Sequence, residues 1–322
     1  MHRLHCAALG VLALGITHAA AAPAGDYPNR PIRILVPFTP GGSTDILARM
    51  IGQRLQEAWG QQVIADNRPG ANGVVAADIA ARANPDGHTL MFVAIGHAIN
   101  PLLQKNLPYD ADRAFTAVSL TAILPQMLAL SPRVSAPTLR DLLALAKGPK
   151  PVNYATGGIG SSQHLATELL AHLAKVKMNH IPYKGGNQGL LDVVAGHVDF
   201  TITTALTVVP HVQAKRVRAL AVSTAKRLDI APEVPTMAEA GVPGYESVAW
   251  YGMVAPAGIP PRVLDKLAAE TVRATHSADM NAALVKQGAI PVGNTPKEFA
   301  SFIRTERTKY ARVIQEAGIR AD

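Results

Sequence analysis

Cysteine is nearly absent from this chain, which has one, Cys6, in 322 residues. Cys6 lies in an N-terminal segment with the features of a cleaved leader, so the mature chain would carry no thiol. Without a thiol a protein forms no disulfide bond, has no cysteine nucleophile and binds no metal through cysteine. These three kinds of chemistry are therefore excluded.

Aromatic residues are scarce (5%), and charged residues make up only 17% of the chain. A nucleic-acid-binding surface clusters Lys and Arg with aromatic side chains, whereas the charges here are scattered, so we expect no nucleic acid partner. Lys and Arg (31) exceed Asp and Glu (23), which leaves a net charge of +8. This excess fits an anionic small ligand, an acidic partner or simply a solvated basic surface.

No apolar run reaches the roughly 20 residues that a membrane-spanning helix needs. Residues 1–22 instead combine an early Arg3, a short apolar run and small residues that fit an A-x-A cleavage site. This pattern predicts a signal peptide over residues 1–22, cleaved after Ala21 or Ala22. An exported chain without an anchor is expected in the bacterial periplasm.

Apolar residues make up 48% of the chain, and its length exceeds what one core comfortably serves, so we expect two domains. Predicted strands alternate with amphipathic helices, which indicates an α/β fold with mainly parallel sheets. Extended apolar runs at residues 115–132 and 249–261 are predicted to cross between the domains. We place the first domain at residues 27–122 plus 248–322 and the second at residues 123–247.

Three segments share one design, in which a strand leads through a glycine turn into a helix that opens with hydroxyl or amide side chains. They are PFTPGGSTD (37–45), YATGGIGSSQH (154–164) and PYKGGNQ (182–188). A helix N-terminus has unpaired N–H groups and favours an anion by roughly 0.3–1 kcal/mol. Local capping explains any one turn at least as well. The repetition favours anion binding for the set.

Other chemistries fit the sequence less well. GGIGSSQ lacks the third glycine of a dinucleotide-binding turn, and GSSQH has His164 where a nucleophile elbow needs glycine. Ser162, His164 and Asp199 could be drawn as a hydrolytic triad, but His164 is better explained as an ordinary helical histidine. The histidines form no ligand cluster, so we predict no catalytic residue, metal or cofactor.

Three further side chains stand at strand ends, where open α/β sheets bind ligands. His97 follows the predicted strand 88–95 and its terminal Gly96, and it either binds a ligand or is an ordinary surface or capping histidine. Phe38 and Tyr183 stand at strand-to-turn corners. They either cover a face of the ligand or belong to the core.

These features together resemble the Bug family, the TctC-like periplasmic solute receptors of tripartite tricarboxylate transporters. The resemblance runs from about Tyr27 to the C-terminus and rests on YPNRPIRILVPFTPGGSTDILAR, VIADNRPGANG, NPDGHTLMF, VNYATGGIGSSQHLATELL, HIPYKGG, GHVDF, VPTMAEAGVPGYE and WYGMVAPAGIP. It implies a Venus-flytrap pair of α/β domains that closes on a carboxylate and delivers it to membrane subunits.

The resemblance also implies which residues hold the ligand. In this family backbone amides, hydroxyls and bridging waters from the loop before the first helix of each domain bind the carboxyl group. By position these are Phe38, Gly42 and Ser43 in one domain and Thr156, Gly158, Ser161 and Ser162 in the other, with Gly96, His97, Tyr183, Lys184 and Thr203 around the same cleft.

One departure from the family pattern bears on the ligand. After VDF the family commonly continues with Phe-Asp, but this chain has Ile202, Thr203 and Thr204. An acidic side chain could pair with an amino group, so its absence favours a plain carboxylate. Two facing helix N-termini favour a dicarboxylate, aromatic if Phe38 and Tyr183 both face the cleft.

We therefore expect a monomeric receptor without enzymatic activity. An exported hydrolase that uses the same cleft, or a ligand sensor read by a membrane signalling partner, is the alternative.

Overall fold

A computed structural model describes residues 27–286 and 288–317 of the chain. The predicted signal peptide, residues 1–22, lies outside this range. The strands are β1 (Ile32–Val36), β2 (Val63–Asn67), β3 (Thr89–Ala94), β4 (Phe115–Leu130), β5 (Asn153–Thr156), β6 (Asn179–Pro182), β7 (Phe200–Thr204), β8 (Arg218–Val222), β9 (Val248–Pro256) and β10 (Ile290–Pro291). The helices are α1 (Ser43–Trp59), α2 (Val74–Ala81), α3 (Gly96–Leu103), α4 (Leu139–Ala146), α5 (Ser162–Ala174), α6 (Gly186–Ala195), α7 (Ala205–Gln213), α8 (Pro261–Thr275), α9 (Ala278–Val285) and α10 (Pro296–Ala317).

The strands form two sheets that share one long strand. In the first sheet β1 pairs in parallel with β2 and β3, β3 pairs antiparallel with β9, and β9 pairs antiparallel with β4. In the second sheet β5 pairs in parallel with β6 and β7, while β7 and β8 pair antiparallel with β4. We call the two halves built on these sheets the first lobe and the second lobe.

The shared strand β4 changes partner part of the way along its length. Its residues up to Pro125 pair with β9, where Pro125 lies opposite Val248, and its residues from Gln126 pair with β7. Proline donates no backbone hydrogen bond, so it suits the end of one ladder. The strand thus crosses between the lobes, and the chain returns to the first lobe at β9.

Both faces of each sheet are buried, as expected where helices cover a parallel sheet on two sides. Alternate residues of β1 therefore point to opposite faces of the sheet. Ile34 and Val36 belong to one core cluster, and Leu35 belongs to another. In the second lobe Leu128 and Met127 of β4 divide in the same way.

Helix α1 shows why the chain turns at its first glycine pair. Gly41 has φ +83°, a conformation that glycine adopts without strain, and Gly42 precedes the helix in an extended conformation. Leu47, Ile51 and Leu55 form the fully buried face. The helix ends at Gly60 in the left-handed conformation. Its first turn therefore starts directly at the edge of the sheet where β1 ends.

The structure confirms the α/β fold with two lobes. Each sheet is mixed, because β1 and β5 pair in parallel with their neighbours whereas every pair that involves β4 or β9 is antiparallel. The segment after β3 was predicted only as the end of a strand, but α3 begins there at Gly96 and includes Pro101. Proline is a poor residue for a helix interior, so its presence obscured this short helix. The boundaries of the domains at residues 27–122 plus 248–322 and at 123–247 stay a prediction. In the described ranges no helix is long and apolar enough to cross a membrane.

Gly252 of β9 is a sensitive point of this packing. A Cβ atom at this position would lie 2.7 Å from Cε1 of Phe299 and 2.8 Å from the carbonyl oxygen of Ser119. Gly252→Ala should therefore lower the free energy of unfolding by about 1–3 kcal/mol through overpacking. Urea denaturation measures this, with the exposed Gly148→Ala as control. Equal stability of the two variants would contradict the described packing of α10 against β9.

Candidate ligand-binding site

The three glycine turns predicted from the sequence meet at one cavity between the lobes. The N-termini of α1, α5 and α6 all border it, and it contains about 470 Å³ of space free of protein atoms, part of which is open to solvent. Its lining residues are Phe38, Thr39, Gly42, Ser43, Thr44, Asn72, Ala94, Ile95, Gly96, Ser161, Ser162, Gln163, Gly186, Asn187, Thr203, Thr207 and Tyr251. We call this space the main cavity.

Backbone N–H groups at the starts of three helices border the main cavity. The first-turn N–H groups of the three helices have no acceptor among the described residues; they belong to Ser43, Thr44, Ser162, Gln163, Gly186 and Asn187. No Lys, Arg, Asp or Glu side chain is among the described residues that line it. The positive potential therefore comes from peptide dipoles, which suit a carboxylate or phosphate without a formal ion pair.

The two lobes touch each other around this cavity. The hydroxyl oxygens of Ser43 and Thr204 lie 2.5 Å apart, one from each lobe. Asn187 Nδ2 donates to the carbonyl oxygen of Pro40 at 3.4 Å. A Cβ on Gly185 would lie 3.0 Å from the backbone nitrogen of Thr39. The described arrangement is therefore a closed one, and glycine at position 185 permits the close approach.

Tyr251 forms the floor of the cavity from the crossing region at β9. Burial raises the pKa of its hydroxyl, and a hydrogen bond with Ser43 partly offsets this effect. The phenol is therefore neutral at ordinary pH. Through Ser43 it connects the glycine turn between β1 and α1, residues 37–42, to the shared strands. We call this turn the first-lobe turn.

The first-lobe turn is held from behind by a buried carboxylate. Asp45 is 4% exposed, accepts from the N–H of Gly41 at 3.0 Å and pairs with Arg49. Asn67 also donates to it, which joins the turn to the end of β2. Although burial opposes ionisation, the hydrogen bonds from Arg49, Gly41 and Asn67 hold the pKa of this carboxyl below its usual range. Asp45 therefore supports the turn.

The glycine turn between β5 and α5, residues 157–161, is held by hydroxyl groups, and we call it the second-lobe turn. Thr156 Oγ1 accepts from the N–H of Gly158 at 3.1 Å and lies 2.6 Å from His180 Nε2. Ser161 Oγ accepts from the N–H of His164, which caps α5. Ser162 Oγ makes no hydrogen bond to a described residue and lines the cavity. Of the two serines, Ser161 is thus committed to capping, and Ser162 is available to a ligand.

The structure separates the predicted site residues into groups. Phe38, Gly42, Ser43, Gly96, Ser161, Ser162 and Thr203 line the main cavity. Gly158, Tyr183 and Lys184 line a neighbouring, more open cavity between the lobes. Thr156 lies behind its turn, fully buried.

His97 lies beside the main cavity, in a small pocket with Phe38, Asn72 and Gly96. Its ring packs edge-on against Phe115, with centroids 5.1 Å apart. Burial, together with the nearby Arg307, lowers the pKa of His97 to about 4. The ring is therefore neutral at pH 7 and offers no positive charge to an anion.

Several lining residues were not predicted from the sequence. Thr39, Gln163, Gly186 and Asn187 stand inside the quoted glycine turns, so counting the first-turn amides of each helix would have found them. Asn72 and Tyr251 carry no comparable signal. Asn72 reaches the cavity only because the turn after β2 folds back over α3, and Tyr251 because β9 lies under both lobes.

The structure does not assemble the hydrolytic triad considered from the sequence. His164 Nδ1 accepts from the N–H of Gly160, and Asp199 accepts from the N–H of Asn153. Neither imidazole nitrogen of His164 therefore pairs with Asp199 or Ser162. Within residues 27–286 and 288–317, no group of three or more His, Cys, Asp or Glu side chains could hold a metal.

Two α/β lobes that share strands and enclose a donor-lined cavity define a two-lobed solute-binding protein. Residues 47–319 match the family described as "TctC: Tripartite tricarboxylate transporter family receptor", and the chain belongs to this family. It is 35% identical over 315 residues to Protein BugT of Bordetella pertussis (strain Tohama I), covering 97% of each chain. The resemblance to Bug-family receptors is thereby confirmed.

Two solved structures from Rhodopseudomonas palustris are closely similar. Rpa4515 with adipate has a TM-score of 0.88 at 35% identity, covering 92% of this chain and 99% of that chain. MatC (Rpa3494) with bound malate has a TM-score of 0.84 at 32% identity, covering 89% of this chain and 100% of that chain. The family and these structures establish the two-lobed periplasmic binding protein fold.

The two neighbouring serines allow the capping role to be tested. Ser161→Ala removes the acceptor for the N–H of His164 and should lower the free energy of unfolding by about 0.5–2 kcal/mol. Ser162→Ala removes no hydrogen bond within the protein and should change it by less than about 0.5 kcal/mol. Urea unfolding of both variants measures the difference. Equal losses would show that the cap is not formed as described.

Proposed function

We propose that this chain is a periplasmic receptor that captures an aliphatic dicarboxylate between its lobes and presents it to the membrane subunits of a tripartite transporter. The observation that carries the proposal is the convergence of three helix N-termini from two lobes on one uncharged cavity. Free first-turn amides approach the ligand from opposite sides. They suit a molecule with an anionic group at each end.

The energy of such a site is sufficient for a useful affinity. A hydrogen bond to a charged group contributes about 1.5–3 kcal/mol, so three or four of them approach the roughly 8 kcal/mol of a micromolar complex. Immobilising the ligand costs part of this energy. Because a short diacid has few rotatable bonds and the turns are pre-organised by Asp45 and Thr156, this cost is limited.

The structural relatives support an aliphatic acid over an aromatic one. The related proteins are described with adipate and with malate, both aliphatic dicarboxylates. An aromatic acid was attractive only if Phe38 and Tyr183 faced the same ligand. They line different cavities, so they form no sandwich around a flat ring. The uncharged Thr203 in the main cavity also favours a ligand without an amino group.

Closure supplies the signal to the membrane partner. A ligand that bridges both lobes has more contacts in the closed state than in the open state, and it therefore shifts the equilibrium toward closure. The lobe contacts between Ser43 and Thr204 and between Asn187 and Pro40 form only when the lobes meet. Membrane subunits that recognise this surface would accept the loaded receptor without any turnover of the ligand.

Isothermal titration calorimetry of the purified mature protein tests the proposal. Adipate and malate, with monocarboxylates as comparison, should show that at least one dicarboxylate binds at micromolar concentration and is recovered unchanged. Ser162→Ala should weaken that binding by about 1 kcal/mol or more, because its hydroxyl is free to contact the ligand. Recovery of a chemically altered acid would support the hydrolase alternative. Absence of binding by every acid would refute the proposed ligand class.

Thr203 offers a second test with a matched pair of variants. Its hydroxyl accepts from Gln163 Nε2 at 3.2 Å, and the residue is 3% exposed. Thr203→Asp adds a negative charge to the cavity and should weaken dicarboxylate binding at least 100-fold, since like charges 4 Å apart repel by about 4 kcal/mol at an effective dielectric constant near 20.

Thr203→Asn is the uncharged control, and competition binding with the same dicarboxylate measures both variants. The loss in Thr203→Asp should be smaller for aspartate, whose ammonium group can pair with the new carboxylate. If Asp and Asn at this position weakened binding equally, the ligand would not place negative charge near Thr203.

A further inference from the structure

Three stacked rings lie directly behind the second-lobe glycine turn. They belong to Tyr154 of β5, His164 of α5 and His180 of β6, and the two imidazole centroids are 4.3 Å apart. His164 is only 7% exposed. None of the three is among the residues that line the main cavity. Their influence on a ligand there must therefore pass through the turn.

The ring of His164 is held in one orientation and one tautomer. The N–H of Gly160 donates to its Nδ1 at 3.2 Å. Because Nδ1 accepts, the neutral ring carries its proton on Nε2, which lies 4.0 Å from Oε1 of Glu168. That same carboxylate oxygen accepts from the hydroxyl of Tyr154 at 2.5 Å. Glu168 therefore faces the protonated side of the ring, and the turn faces the unprotonated side.

Gly160 is the point at which the turn meets the first lobe. Its φ is +77°, and a Cβ here would lie 2.6 Å from Cδ1 of Leu103 and 3.1 Å from Nδ2 of Asn72. The orientation of the Gly160 peptide thus decides how closely the turn approaches the first lobe. It also decides where the following amides of Ser162 and Gln163 point.

We propose that His164 is a positioning residue for ligand capture, whose neutral ring holds the Gly160 peptide through Nδ1 so that the amides of Ser162 and Gln163 face the ligand as the lobes close. This inference rests on the proposed function and adds to it a residue that never touches the ligand. The same hydrogen bond withdraws the Gly160 amide from the ligand. It thereby selects which donors of the turn remain available.

Protonation of the ring would undo this arrangement, because an imidazolium has no lone pair at Nδ1. Burial lowers the pKa of His164 to about 4, and burial together with the neighbouring His164 lowers the pKa of His180 to about 4. The titratable groups that face His164 are Tyr154, His180 and Glu168. The turn is therefore held intact at neutral pH and is released as the pH falls toward 4.

Two substitutions at position 164 separate the hydrogen bond from the ring packing. His164→Phe keeps a ring in the stack but has no acceptor, and it should weaken binding of adipate or malate at least tenfold. His164→Asn places an amide oxygen near the position of Nδ1 and should bind within about threefold of the unchanged protein. Circular dichroism confirms that both variants are folded. Equal weakening by the two variants would overturn the proposal, as would no effect of His164→Phe.

The dependence of ligand affinity on pH distinguishes the proposed role of His164 from a purely structural one. A purely structural role would leave this dependence unchanged. Dicarboxylates themselves titrate near pH 4–5, so the ratio of affinities between the unchanged protein and His164→Asn is measured from pH 7 to pH 4. The ratio should be constant near neutrality and fall at the acidic end. A ratio that stays constant throughout would contradict the role of the neutral ring.

Nitrogen-15 NMR of the ligand-free protein tests the tautomer without any ligand. At pH 7 the spectrum should show His164 with Nε2 protonated and Nδ1 unprotonated, and the reverse tautomer would refute the proposed hydrogen bond. If no acid binds the unchanged protein, the proposed function fails. The tautomer measurement then still decides whether His164 holds the turn.

Discussion

The constraint on which this structure depends is the accumulation of unpaired backbone donors between two lobes. Each helix that starts at a glycine turn leaves amide groups without an acceptor, and α1, α5 and α6 direct theirs toward the same cavity. Among the described residues no carboxylate side chain lines the cavity, and the buried Asp45 accepts from its own turn instead. An anion between the lobes, as proposed, would supply the acceptors that these amides lack.

Rigid turns make this use of peptide dipoles effective. In the first lobe the buried Asp45 ties the turn to Arg49 and Asn67, and in the second lobe Thr156 and Ser161 hold the turn from within. These side chains hold the backbone that borders the cavity. A cavity built from fixed dipoles needs little reorganisation on binding, and without Lys or Arg it avoids burying a permanent cation when the ligand has left.

The strands at the junction of the two sheets connect the lobes. β4 pairs with β9 up to Pro125 and with β7 beyond it, so two well-packed lobes are joined by a narrow region of backbone. Tyr251 lies in this region and contacts Ser43, which in turn contacts Thr204 of the opposite lobe. The floor of the cavity, the first-lobe turn and the second lobe are therefore linked by one series of hydroxyl groups.

Local sequence patterns were sufficient to determine the alternation of strands and helices, the three glycine turns and the family. These features depend on residues close together in the chain, such as Gly41, Gly42 and Ser43. Only the tertiary structure decided that Tyr183 and Lys184 line a separate cavity, that His97 lies beside the site, and that Asn72 and Tyr251 complete it. The reason is that a side chain's position relative to a distant turn depends on how whole lobes pack, which no short segment encodes.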